Sequence, residues 1–233
     1  MEANQMTLNE IFDRLLSGDD IKRNQACTDA LSVIEKTADN NIRNHFIEMI
    51  VLHLIDAGRF EEAKQCIEVL IQSPDYYYGI KGHFAYIEYC KRCHYENLEK
   101  AIRDTIDYSK ANHHNADYAV ANLEYAKYHY ISTRYNECIK VMGDVQEVAE
   151  ELKNIRFEIV AKYYTALSLH WIGQINMALE FLREVTDLAC DINSQNAAMF
   201  SEMKRAVLLN EVGRDEEARN IIRQWCDNFE TQL

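Results

Sequence analysis

Gly58-Arg59-Phe60-Glu61-Glu62-Ala63 is the segment on which the fold is decided, because it returns four more times along the chain. Its echoes are Cys93-His94-Tyr95-Glu96-Asn97-Leu98, Thr133-Arg134-Tyr135-Asn136-Glu137-Cys138, Gly173-Gln174-Ile175-Asn176-Met177-Ala178 and Gly213-Arg214-Asp215-Glu216-Glu217-Ala218. They open at positions 58, 93, 133, 173 and 213, so that the last four keep one constant step. A recurrence of this length is the mark of a repeat architecture, in which each unit is one supersecondary element that buries its apolar face only by stacking on its neighbours.

Two further sets of positions keep the same register. Seven residues before each turn stand Val51, Tyr86, Ala126, Ala166 and Ala206, and nine residues after it Ile67, Ile102, Met142, Leu182 and Ile222. Small residues before the turn, and Ala63, Cys138, Ala178 and Ala218 after it, allow two helices to approach at the short end of the range of about 8–10 Å. The later apolar set supplies the knobs of the second helix.

This pattern resembles the tetratricopeptide family, whose helix-turn-helix unit carries a Gly at the turn, an aromatic residue two positions on and Ala at two close contacts. Gly58, Phe60 and Ala63 match it best, with Pro74 where a repeat should end, and the resemblance covers about residues 40–230. The chain departs from the family in its period, which is about 40 in place of about 34, and in lacking the early Trp. It also carries Tyr86, Leu98 and Asp215 at positions that are usually small or aromatic. The resemblance implies an all-α, right-handed superhelical solenoid of about six antiparallel helix pairs. One domain over 1–233 is expected, with 1–40 a degenerate N-terminal cap repeat, 41–214 the repeats and 215–233 a C-terminal capping helix.

Helices are expected near 7–17, 20–38, 41–57, 60–73, 79–92, 95–112, 115–132, 135–152, 155–172, 175–192, 195–212 and 215–230. Thr7-Leu8-Asn9-Glu10 reads as a capping box, followed by Ile11, Phe12, Leu15 and Leu16 on one face. In the last helix Ala218, Ile221, Ile222, Trp225, Cys226 and Phe229 form one apolar stripe, opposite a polar face suited to a cap.

Composition agrees with long helices and short turns: there are only one Pro and seven Gly, the residues that punctuate strands and hairpins. The net charge of −13 and the absence of a basic stripe argue against nucleic acid or an anionic membrane as partner. Cationic, neutral or apolar partners remain. The N-terminus lacks the pattern of a secretory signal, and no apolar run approaches the ~18 residues of a membrane span. Seven scattered cysteines suit free thiols in a reducing compartment, so a cytoplasmic location is expected.

Candidate chemistry is sparse. Cys90-Lys91-Arg92-Cys93-His94 matches the Cys-x-x-Cys-His of covalent haem attachment, yet the repeat register puts Cys93 and His94 at a turn, and packing is the expected role. The eight histidines show no zinc spacing, and no nucleophile elbow or phosphate-binding loop occurs. No enzyme, no cofactor and no metal are expected.

In the tetratricopeptide family the inward-facing positions come from the first helix of each pair. Carried onto this chain, that geometry selects Glu48, Leu52 and Ile55; His83, Ile87 and Cys90; Leu123, Lys127 and Tyr130; Tyr163, Leu167 and His170; and Met203, Val207 and Asn210. Only Lys127 and Asn210 match the basic and amide residues with which chaperone-binding members clamp a C-terminal carboxylate. The candidate binding residues are therefore Lys127, Tyr130, Tyr163, Leu167, His170 and Met203, a mixed apolar and aromatic set suited to a peptide or helix of a partner protein. The expected function is a protein-interaction module, an adaptor or regulator. Alternatives are a peptide-sensing regulator, since longer-period repeats resemble those of bacterial peptide sensors, and the sensory region of a larger signalling enzyme.

Overall fold

The computed structural model describes residues 10–230, with side chains through Trp225. The described residues are helices and tight turns, with no strand among them. They divide into two compact units, one ending at His114 and the other beginning at Asn115.

The first unit holds α1 (residues 10–15), α2 (Asp20–Lys36), α3 (Asn40–Asp56), α4 (Phe60–Ile71), α5 (Tyr76–Cys93) and α6 (Leu98–Ala111). Three of these start on an aspartate. The carboxylates of Asp19, Asp39 and Asp75 accept hydrogen bonds from the amides of Ile21, Asn41 and Tyr77 at 2.9, 2.8 and 2.9 Å, filling acceptor roles that the first turn of a helix leaves open. The Asp75 cap explains a difference from expectation: Tyr76, Tyr77 and Tyr78 belong to the first turn of α5 rather than to a loop before it. At the other end, α6 starts three residues late because Tyr95–Asn97 form a 3-10 turn.

From α2 to α6 each helix packs on the next, and α3 also touches α5. The core is built by Phe46, Ile47, Ile50, Leu54, Ile67, Leu70, Ile87 and Ile102, all nearly inaccessible. Gly82 sits where α5 crosses the end of α4, and a Cβ there would lie 2.7 Å from the Ile71 amide nitrogen. In α1 only Ile11 and Leu15 are buried, while Phe12 and Leu16 are exposed. Residues four apart share a face and their neighbours lie about 100° round the helix, so the expected four-residue apolar face narrows to two. The proposed capping box at Thr7-Leu8-Asn9 lies outside the described residues.

The second unit is more regular. It comprises α7 (Asn115–Ile131), α8 (Tyr135–Leu152), α9 (Ile155–Trp171), α10 (Ile175–Asp191), α11 (Gln195–Glu211) and α12 (Asp215–Glu230), whose first residues are evenly spaced. Every connection turns on one left-handed residue: Thr133, Lys153, Gly173, Asn193 and Gly213 have φ of 58, 51, 80, 54 and 76°. Around each, two backbone bonds close the helix end, as in Arg134 N–H to His129 O at 2.8 Å and Thr133 N–H to Tyr130 O at 3.1 Å. This is the Schellman arrangement, which satisfies carbonyls orphaned at a helix C-terminus. The same pair of bonds recurs at Lys153, Gly173, Asn193 and Gly213. The geometric unit is thus a single helix with its turn, half the helix pair legible in residue types, because glycine marks only two of these five turns.

The cores of this unit are layered. Leu123, Ala126, Cys138, Met142, Val145 and Ala161 form one cluster, and Ala166, Leu169, Ala178, Leu182, Ala206, Leu209, Ala218 and Ile221 another. The repeat alanines 126, 166 and 206 are all buried, as helices crossing at short distance require. In α12, Ala218 and Ile221 are buried but Ile222 is 45% exposed, which breaks the expected stripe; Cys226 and Phe229 lie outside the described side chains.

Candidate functional site

Within the second unit α7 touches α9 and α9 touches α11, a contact that the even-numbered helices do not match. The first helices therefore stand side by side and present one continuous face. The large apolar side chains exposed on these helices include Ile131 (70%), Trp171 (58%), Phe200 (60%), Val207 (49%) and Met203 (48%). Ile131 and Trp171 occupy the same place, the last residue of their respective helices. Ile131 and Trp171 are thus large apolar groups exposed in register on adjacent helices, a feature that distinguishes an interaction face from scattered surface residues.

The six candidates lie within this unit, in different settings. Lys127 is half-exposed, and its Nζ bonds Glu124 Oε1 at 2.7 Å. The Tyr130 ring packs edge-on against Tyr135 and Tyr164, with centroids 5.7 and 5.8 Å away. Its hydroxyl accepts the indole N–H of Trp171 at 3.0 Å. Tyr163 is half-buried against the cluster of Ala166 to Ile221 and against a further one of Ile159, Val185, Ala189 and Ala198, and burial pushes its hydroxyl pKa upward. Leu167 is half-buried. His170 Nε2 lies 2.8 Å from Glu211 Oε2 on α11, and its ring tilts against Trp171 at 5.3 Å. Met203 is 48% exposed, though its register partner Leu123 is 8% exposed and lies in the core.

Sequence reasoning missed Ile131, Trp171 and Phe200. The signal was available: Ile131 and Trp171 each follow a selected residue, Tyr130 and His170, by one position, and Phe200 lies three before Met203. Trp171 also stacks on Tyr135 at 6.0 Å with a 9° interplanar angle. It is thus the aromatic at which α7, α8 and α9 meet.

The corresponding positions of the first unit form no such row. Leu52 is half-exposed, but Ile55, Ile87 and Cys90 are buried. Glu48 accepts the Tyr77 hydroxyl at 2.6 Å, an interaction that raises the phenol pKa to about 12. The His83 ring lies 4.5 Å from that of Tyr108, which also stacks on Tyr76. An open cleft of about 370 Å³ between α2 and α3 is lined by Asp20, Arg23, Asn24, Cys27, His53 and Asp56. Its charges are engaged, Arg23 with Asp20 and Asp56 with Arg92.

The Cys-x-x-Cys-His segment is packed at the end of α5. Cys90 is fully buried and its thiol is pushed up to about 11, chiefly by desolvation. The Cys93 thiol donates to the Tyr89 carbonyl at 3.2 Å, and the His94 ring leans on Tyr89 at 5.4 Å. Among the described residues no group of three or more His, Cys, Asp or Glu side chains could hold a metal ion, and no helix is long and apolar enough to cross a membrane.

Solved structures place this architecture among tetratricopeptide-like repeat proteins. The aspartyl phosphate phosphatase F of Bacillus subtilis superposes with a TM-score of 0.74 at 14% identity, over 97% of this chain and 58% of that one. A Pyrococcus horikoshii signal-transduction ATPase with a tetratricopeptide repeat sensor superposes with a TM-score of 0.70 at 11% identity, over 88% of this chain and 34% of that one. A Podosopora anserina protein described as a kinesin light chain with nearly identical TPR-like repeats gives 0.63 at 11%, over 81% and 95%. At such identities the likeness is one of fold. No protein-family model matches the chain, and no curated protein matches it.

Proposed function

We propose that this protein is an interaction module whose second unit holds an amphipathic helical segment of a partner protein against α7, α9 and α11. The observation that carries the reading is the exposed apolar groups of the first helices, Ile131 and Trp171 in register on α7 and α9 and Phe200 and Val207 on α11. A helix offers apolar residues at i, i+3, i+4 and i+7, a spacing that suits a groove between parallel rows of side chains. The net charge of −13 favours a partner whose remaining face is basic. Trp171 is the expected anchor, since buried aromatic groups dominate the affinity of such interfaces.

A second reading, a peptide sensor, is favoured by the contacts of two adjacent residues. Trp171 bonds back to Tyr130 on α7, and His170 faces forward to Glu211 on α11. An occupant that displaces either contact alters how the three first helices stand against one another.

The test uses the full chain as bait in extract of its native host, in three forms: wild type, Trp171→Ala, and Glu147→Lys on the second helix α8. A partner retained by the first and third, and weakened at least ~30-fold by Trp171→Ala, supports the reading. Binding that survives Trp171→Ala combined with Phe200→Ala but fails with Glu147→Lys moves the interface to the even-numbered helices.

A further inference from the structure

The three first helices of the second unit end on Ile131, Trp171 and Glu211, one and the same place in successive repeats. All three are exposed. The later two each reach back to the last residue but one of the preceding first helix: Trp171 Nε1 donates to the Tyr130 hydroxyl at 3.0 Å, and Glu211 Oε2 lies 2.8 Å from His170 Nε2. One contact, made twice, therefore holds the row, and what changes along it is chemistry. It is aliphatic on α7, aromatic on α9 and a carboxylate on α11. Four residues earlier, on the same faces of these helices, stand Lys127, Leu167 and Val207, all at least partly open to solvent.

The charges of this double row are unequal. Lys127 at the α7 end is matched by Glu124, whose Oε1 it meets at 2.7 Å. At the α11 end Arg214 is turned to Glu217, with two bonds of 2.6 Å, and Glu211 forms no ion pair with a Lys or Arg among the described residues. The Glu211 side chain is 42% exposed, and only one of its oxygens meets His170. The other is open to a donor from outside. Because α7, α9 and α11 all terminate at this row, the negative ends of their dipoles face it as well.

The spacing sets what fits. Neighbouring helix axes lie about 10 Å apart, and a helix advances 1.5 Å per residue, so an occupant crossing the row meets successive stations about seven residues apart. Seven residues are nearly two whole turns, which keeps the stations on one face. A carboxylate is also best met by the positive, N-terminal end of a helix. We propose that Glu211 fixes the direction of a partner helix on this face, by binding a Lys or Arg of its first turn while apolar residues about seven and fourteen positions later cover Trp171 and Ile131. The inference rests on the reading of this face as a helix site, and adds to it the partner's polarity.

Synthetic helices test it without the native partner. The probe is a fluorescein-labelled Ala–Gln helix with Lys in its first turn and Leu about 7 and 14 residues later, titrated by anisotropy with the full chain. Its isomer with the Lys moved to the last turn should bind about fivefold more weakly. Glu211→Lys should weaken the probe about tenfold, and a probe with Glu in place of its Lys should recover that loss on the Glu211→Lys chain, a rescue that misfolding would not give. Trp171→Ala should weaken both isomers alike, by at least ~30-fold. Probes that bind wild type but ignore Trp171→Ala, or that do not bind at all, would overturn the helix site and this inference with it. Sensitivity to Trp171→Ala with indifference to Glu211→Lys, or equal binding of the two isomers, would overturn the inference alone.

Discussion

The indole N–H of Trp171 donates to the hydroxyl of Tyr130 at 3.0 Å, from one first helix to the next. The bond holds the indole flat beside Tyr135, with more than half of the side chain still facing solvent. An anchor held in place before binding loses less side-chain entropy on binding.

Tyr130→Phe should therefore weaken partner binding by several-fold without lowering helicity. Removing one exposed hydrogen bond contributes about 1 kcal/mol at most. Tyr163→Ala is different in kind: its ring supports two core clusters, so thermal stability should fall by about 2–4 kcal/mol. Chemical denaturation run beside a binding titration separates the two effects. Equal loss of stability in both variants would remove Tyr130 from the anchoring role.

Thr133 and Lys153 hold φ of 58 and 51°, where a side chain costs roughly 1–2 kcal/mol and glycine little. Thr133→Gly and Lys153→Gly should each stabilise the protein by up to about 1 kcal/mol, the gain being reduced by the larger entropy of glycine in the unfolded chain. Gly173 and Gly213 already occupy the equivalent turns. An unchanged or lowered melting temperature in both variants would contradict the left-handed turns.

Gly82→Ala should destabilise by about 1–3 kcal/mol, because the new methyl would meet the backbone of Ile71 and neither helix can yield cheaply. Ala166→Leu should cost a similar amount by overpacking a fully buried site. Gly143 is the control. Nothing lies within 4 Å of a Cβ built there, so Gly143→Ala should add roughly 0.5–1 kcal/mol through helix propensity alone.

Stability should fall on both sides of neutrality, for separate reasons. Burial depresses the pKa of His83 below 6.5, against a smaller opposing pull from Asp104. Below that pH the unfolded chain binds a proton that the folded chain resists, so stability declines as the solution is acidified from about 6.5. His83→Gln should flatten this limb. On the alkaline side burial raises the thiols of Cys66 and Cys90 from 9.0 to about 12 and about 11. The unfolded thiols ionise first, and stability is lost as pH rises above 9. Cys66→Ala should flatten that limb, as read from urea midpoints across pH.

Much of the architecture is legible in residue types alone. Gly58, Gly173 and Gly213, with the alanines at 126, 166 and 206, locate the hairpins, because a left-handed turn and a close helix crossing each restrict residue type locally. Where the restriction is met by an unusual residue, the letters carry no signal. Thr133, Lys153 and Asn193 adopt the same turn without announcing it, so residue types repeat by helix pair while the backbone repeats by single helix.

The binding face belongs to the other category. Helical periodicity narrows an interaction surface to an arc, but which residues of that arc meet water depends on the helices packed to either side. Tyr163 and Trp171 look equally eligible as letters, yet α10 and α11 cover much of the first and leave the second open. The same holds for Ile222, which is half-exposed, whereas its counterparts Met142 and Leu182 are buried where α9 packs on α8 and α11 on α10. Residue types and their spacing determine which side chains can be buried; exposure is a property of neighbours distant in the chain, and only the assembled array decides it.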